Sequence, residues 1–190
     1  MARLLPMRVV ALSCAALPLF MAPVSAQEMP IFTSCQYRFA VIFPAQPMMR
    51  DLTYTAGPTS APAREFYLER NGNRYSVTVV DFARGPAVDD QIVERAAAQI
   101  RQRGEVRFQA TAPYDPGMPG RQLNIFESNG RQHRASVYMA DHRMFITEAN
   151  ATQGDFNALQ FEQSITLIDA NGDDLDRPNN GEVRNFGCRR

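Results

Sequence analysis

The order of apolar and polar side chains changes period several times along this chain, and each change marks a boundary between elements. Residues 37–43, Tyr-Arg-Phe-Ala-Val-Ile-Phe, are aromatic and β-branched and predict a strand that stops at Pro44. Pro44, Pro47, Pro58 and Pro62 then predict an irregular, exposed stretch with one short extended piece at 51–55. Beyond it, 64–70 and 74–82 flank Asn71-Gly72-Asn73. With Asn71-Gly72 as a two-residue turn, whose positions favour left-handed backbone, Phe66 faces Val77 and Leu68 faces Tyr75 on one side. On the other side Glu69 meets Arg74 and Tyr67 meets Ser76. Apolar faces apolar throughout, so this register is self-consistent.

Period 3.6 takes over at 88–103, where Val88, Ile92, Val93, Ala96, Ala97 and Ile100 form one stripe. Asp89 and Asp90 in the first turn and Arg101 and Arg103 in the last match the helix dipole. Gly104 is placed to end the helix in a left-handed cap. A helix with a single apolar face implies a sheet beneath it.

Period 2 then returns. A strand over 105–112 precedes the Pro113-Tyr114-Asp115-Pro116-Gly117 break, and strands over 121–127 and 131–140 flank Ser128-Asn129-Gly130. Only a three-residue loop there lets Leu123, Ala135 and Val137 share a face, with Gly130 supplying the bulge. A turn at Asp141-His142 pairs Met139 with Met144, Val137 with Ile146, and Tyr138 with Phe145. Thr152-Gln153-Gly154-Asp155 opens a second, shorter helix carrying Phe156, Leu159 and Phe161. Hairpins dominate, so the expected class is α+β: an antiparallel sheet of about six to seven strands with two helices packed on it. Tyr67, Tyr138 and Phe145 point away from the face of Leu123, Val137 and Ile146 in this reading. With helices on one face only, these aromatics mark a partner surface; with a helix on each face, they are core.

Residues 39–44, 75–82 and 158–164 together resemble the PsbP/Mog1-like fold group, over about residues 36–168. Phe39-Ala40-Val41-Ile42-Phe43-Pro44 is similar to that group's opening strand, and residues 75–82, Tyr-Ser-Val-Thr-Val-Val-Asp-Phe, to its strand before the long helix. Residues 158–164, Ala-Leu-Gln-Phe-Glu-Gln-Ser, resemble its C-terminal helix. The resemblance implies a small binding or assembly factor and brings no catalytic residue set with it.

Composition narrows the classes. The chain has 190 residues, 45% of them hydrophobic and 21% charged, which suits one domain with a real core and excludes disorder as the main theme. Twenty basic groups balance 20 acidic ones, and the basic residues, all arginine, are scattered rather than striped. Neither feature fits charge-driven nucleic-acid binding. At the start, Arg3 and Arg8 precede an apolar run at 9–22, and Val24-Ser25-Ala26 closes it with small side chains. This pattern predicts a secretory signal over 1–26, leaving a domain at 27–168 and an Asp/Asn/Gly-rich tail at 169–190. The alternative, a lipid on Cys14, meets Ala11 where leucine is usual. The run is too short for a membrane span. The expected location is periplasmic or secreted.

Cleavage after Ala26 leaves Cys35 and Cys188. In an oxidising compartment the simplest reading of the pair is an internal disulfide, with an intermolecular bridge and two free thiols as alternatives. Closing a loop of about 154 residues restricts the unfolded chain by roughly 5 kcal/mol.

Candidate chemistry is sparse. Residues 169–176, Asp-Ala-Asn-Gly-Asp-Asp-Leu-Asp, place oxygen ligands at spacings that suit calcium, but Asp174 stands where glycine is needed and Asn180 where a bidentate glutamate belongs. His133 and His142 are the only histidines, too few for a zinc site without a further ligand. Met48, Met49, Met118, Met139 and Met144 raise Cu(I), yet Met139 and Met144 already form a cross-strand pair. Gly-x-Ser-x-Gly and phosphate-cradling motifs do not occur, and without lysine there is no Schiff-base or Ser–Lys chemistry. The sequence therefore reads as a non-catalytic binding or accessory factor, without cofactor, for an unknown protein or small ligand. The alternatives are a calcium-binding protein through 169–176 and a small periplasmic hydrolase built on His133 or His142.

Overall fold

In the structure, a computed structural model that describes residues 30–176 and 181–188, tight turns fold most of the chain into hairpins. The leader expected at 1–26, with Cys14, lies outside the described residues. The elements are β1 (Ile31–Ser34), β2 (Phe39–Ile42), β3 (Met48–Ala56), β4 (Thr59–Arg70), β5 (Asn73–Asp81) and α1 (Asp90–Arg101). They continue as β6 (Glu105–Thr111), β7 (Gly120–Phe126), β8 (Arg131–Ala140), β9 (Arg143–Thr152), α2 (Phe156–Gln163) and β10 (Thr166–Leu167). The class is α+β. A seven-stranded antiparallel sheet runs β3-β4-β5-β9-β8-β7-β6, and β1-β2-β10 form a smaller sheet of three.

The local registers follow the turns. Asn71 and Gly72 both take left-handed backbone, φ 52° and 74°, so Phe66 meets Val77 and Tyr67 meets Ser76. Gly130 at φ 80° closes the three-residue loop that sets Leu123 opposite Ala135. Asp141 and His142, φ 45° and 61°, pair Met139 with Met144.

Where proline predicted irregularity, the chain instead forms the β3–β4 hairpin around Gly57 at φ 58°. Pro62 is tolerated because the β4–β5 ladder begins only at Ala63 opposite Val80, so at Pro62 β4 has a partner on one side alone. Helix α1 starts after Val88, which is exposed; Asp89 caps it by accepting from the N–H groups of Gln91 and Ile92 at 2.7 and 3.2 Å. Gly104 does not form a left-handed cap. A Cβ there would sit 2.3 Å from the carbonyl oxygen of Phe126, so the glycine serves a close backbone approach. In α2, capped by Asp155, Phe161 is buried while Phe156 is exposed.

Both faces of the large sheet are covered, by different means. On one side α1 packs Ile92, Val93, Ala96, Ala97 and Ile100 onto Leu123, Ile125, Val137, Met139 and Met144. On the other, β2 and α2 press Phe39, Val41, Phe43 and Phe161 against Phe66, Tyr75, Val77, Tyr138 and Phe145. Cys35 is bonded to Cys188, with Cα atoms 5.5 Å apart. The tail is further tied by Leu175 N–H to Leu167 O at 2.9 Å and by Tyr114 Oη donating to Asp174 at 2.7 Å.

Candidate functional site

The β5–β9 ladder sets Val79 opposite Phe145 and Ser76 opposite Glu148. It thereby divides the three aromatics expected to form one surface. Tyr138 and Phe145 are core under β2 and α2, whereas Tyr67, opposite Ser76, shares the α1 face with Ile146 and Val137. Turn chemistry fixes register within a hairpin, but β5 and β9 meet across α1 and three other strands, so sequence parity alone misassigned Tyr67.

That α1 face carries a band of polar side chains. Across the sheet one rung reads Glu69, Arg74, Asn150, His133, and the next reads Met48, Tyr67, Ser76, Glu148. Helix α1 reaches β3 only near Thr55, whose carbonyl accepts from Gln99 Nε2 at 2.9 Å. The opposite end of β3, β4 and β5 carries no helix among the described residues, and arginine side chains roof it instead. Arg50 and Arg74 each hold Cζ 5.0 Å from the Tyr67 ring centre, a cation–π pair. Beneath them Glu65, only 6% exposed, accepts from Arg50 Nε at 2.5 Å and Arg74 Nη2 at 2.6 Å. Arg74 Nη1 reaches Glu69 at 2.6 Å. Arg50 remains 55% exposed, beside exposed Met48.

The band ends in a tighter cluster. His133, 3% exposed, has Nε2 at 3.0 Å from both Glu148 Oε1 and Arg103 Nη1, and Arg103 also contacts Glu148 directly. On the other side of the ring, Nδ1 lies 3.5 Å from Glu127 and from Asn150 Nδ2. Burial pushes the Glu148 carboxyl up, but the His133 hydrogen bond and the Arg103 guanidinium outweigh it and hold the group below its usual range. Burial and the nearby Glu148 charge together push Tyr54 up to about 12. Every strong acceptor in this cluster is matched to a donor, so it fixes the end of α1 to the sheet and leaves Tyr67 and its arginines as the accessible chemistry.

The remaining candidates are dispersed. His142 sits in the β8–β9 turn with Nδ1 2.9 Å from Gly85 O, at the other end of β8 from His133. Asp169 turns its carboxylate onto the N–H groups of Asn171 and Asp173, Asp173 accepts from Asn185, and Asp174 from Tyr114. Among the described residues no three His, Cys, Asp or Glu side chains come together in a way that could hold a metal ion. Met139 and Met144 are core, and Met48 and Met49 lie exposed on the β3 edge. No helix among the described residues is long and apolar enough to cross a membrane. The arginine-roofed band escaped sequence reading; its only trace was the pairing of Glu69 with Arg74 and of Tyr67 with Ser76. No family model matches the chain, and neither does any curated protein or solved structure.

Proposed function

We propose that this protein is an exported, non-catalytic binding or accessory factor that meets its partner through the Tyr67 band. The observation that carries the reading is the half-buried ring of Tyr67 between Arg50 and Arg74, flanked by exposed Met48 on a stretch of sheet that no helix among the described residues covers. Aromatic, arginine and methionine side chains are the types enriched where proteins meet. The Cys35–Cys188 bond supports an oxidising compartment, as does the leader-like composition of residues 1–26. The PsbP/Mog1-like reading rests on the resemblance of residues 39–44, 75–82 and 158–164 and is a fold analogy alone.

The test is capture from an extracytoplasmic fraction with tagged protein lacking 1–26, alongside Arg50→Glu and Tyr67→Ala variants. Wild type retains one specific protein, and both variants lose it while remaining folded by circular dichroism. Equal capture by all three overturns the band as the contact. A hydrolytic activity abolished by His133→Ala overturns the non-catalytic reading.

A further inference from the structure

We propose that Met48 and Met49 are an oxidation site: hydrogen peroxide converts them to sulfoxides, and the Met48 sulfoxide oxygen accepts a hydrogen bond from Arg50 that re-sets the Arg50–Tyr67 stack. In the reaction the thioether sulfur attacks one peroxide oxygen, and the O–O bond breaks as the S–O bond forms. The displaced hydroxide takes up the remaining proton and leaves as water, so sulfur loses the two electrons that the peroxide gains.

Little else in the fold competes for the oxidant. The chain has no tryptophan, and Cys35 and Cys188 are bonded to each other, so no thiol is present among the described residues. Burial then sorts the described methionines. Met139 and Met144 are 0% exposed beneath α1, and half-buried Met118 packs against the core on the β2 side. Met48 and Met49 are 54% and 59% exposed. They open β3, which ends the large sheet and pairs with β4 alone, so peroxide reaches both sulfurs without any opening of the fold.

Strand alternation gives the two sulfurs different surroundings. Met49 pairs with Phe66 on the β2 side. Met48 pairs with Tyr67 on the α1 side, and Arg50 follows it on that same face, about 7 Å along the strand. Arg50 donates its Nε–H to Glu65 and holds Cζ 5.0 Å from the Tyr67 ring centre, while 55% of the side chain remains exposed. A guanidinium carries five N–H donors, so Arg50 keeps donors for a new acceptor. A thioether is a weak acceptor, whereas a sulfoxide is polar, and its oxygen arises within reach of that head. The bearing of this change on binding rests on the Tyr67 reading. The oxidation and its effect on Arg50 are measured without a partner, so the two fail separately.

Hydrogen peroxide is added to the disulfide-bonded protein, and oxygen uptake is followed by mass analysis of tryptic peptides. Cleavage after arginine puts Met118, Met139 and Met144 in peptides separate from the 48–49 pair. Met48 and Met49 are expected to gain one oxygen each at least about tenfold faster than the other three, which react only through local opening. As Met48 converts, the NMR signals of Arg50 Nε–H and the Tyr67 ring shift; Met48→Leu abolishes that shift and Met49→Leu keeps it. Both substitutions fall at exposed positions. Oxidation of Met118, Met139 or Met144 as fast as the pair overturns the proposal. So do unmoved Arg50 and Tyr67 signals at full Met48 conversion, or a shift that survives in Met48→Leu.

Discussion

Replacing Cys35 and Cys188 together by serine removes a link between positions 153 residues apart in sequence. Chain-entropy reasoning gives the released denatured chain about 5 kcal/mol of added freedom. The folded state keeps most of what the bridge holds in place, because Tyr114 still binds Asp174 and Leu175 still bonds to Leu167. The loss therefore falls on the denatured side and approaches the full entropic figure. One native contact does depend on the bridge: Gly172 packs so closely on Cys188 that a Cβ would lie 2.8 Å from its nitrogen. At about 2–4 °C per kcal/mol for a domain of this length, the double variant melts about 10–20 °C below the oxidised wild type. Calorimetry on oxidised, reduced and Cys35→Ser/Cys188→Ser protein measures it, with alkylation and mass analysis reporting the thiols. Coincident midpoints would refute the reasoning, since they require a denatured chain already as restricted as the bridged one.

Two further perturbations probe opposite faces of the sheet. Burial pushes the carboxyl of Glu162 above its ordinary range, against hydrogen bonds from Ser136 and Arg134, so the folded state favours the protonated form. Stability then falls as pH rises through the ordinary glutamate range toward the raised value, and Glu162→Gln escapes this loss. The stability of the variant relative to wild type should rise steadily between pH 4 and pH 8 in denaturant titrations; a pH-independent difference counts against the argument. Gly104→Ala forces a methyl into the Phe126 carbonyl and should lower stability by about 1–3 kcal/mol in denaturant titrations, whereas a neutral result would mean that the backbone there yields freely.

What was legible in the sequence was local. Asn71-Gly72, Ser128-Asn129-Gly130 and Asp141-His142 each fix a register through backbone conformations that few residues adopt, and every cross-strand pair read from them is present. The disulfide was legible because the expected export and the cysteine count left few options. Strand β1, the β3–β4 hairpin and β10 were not, because short or proline-bearing edge strands owe their form to neighbours rather than to their own pattern. Gly104 shows the same limit: its position suggested a cap, but the reason for a glycine lies on β7, more than twenty residues away.

The same division between local and distant information explains why the candidate surface moved. Tyr67 and Phe66 are neighbours, so one of them must face α1 and the other β2. Which is which depends on the β5–β9 ladder, and that ladder joins strands separated in sequence by α1 and the whole β6–β8 meander. On the β2 side, aromatic rings fill the space between two sheets, with the Arg64 and Arg134 guanidinium groups at its margins, over Tyr37 and against Glu162. On the α1 side the helix is too short to cover seven strands, and arginine stems do the covering where it stops. A chain whose cations are all arginine is suited to this, since each planar head can both stack on Tyr67 and bind a buried carboxylate such as Glu65. Roofing a sheet with arginine rather than with another helix leaves chemistry at the surface, and that is why the binding reading rests on this end of the α1 face rather than on the aromatics now enclosed on the other.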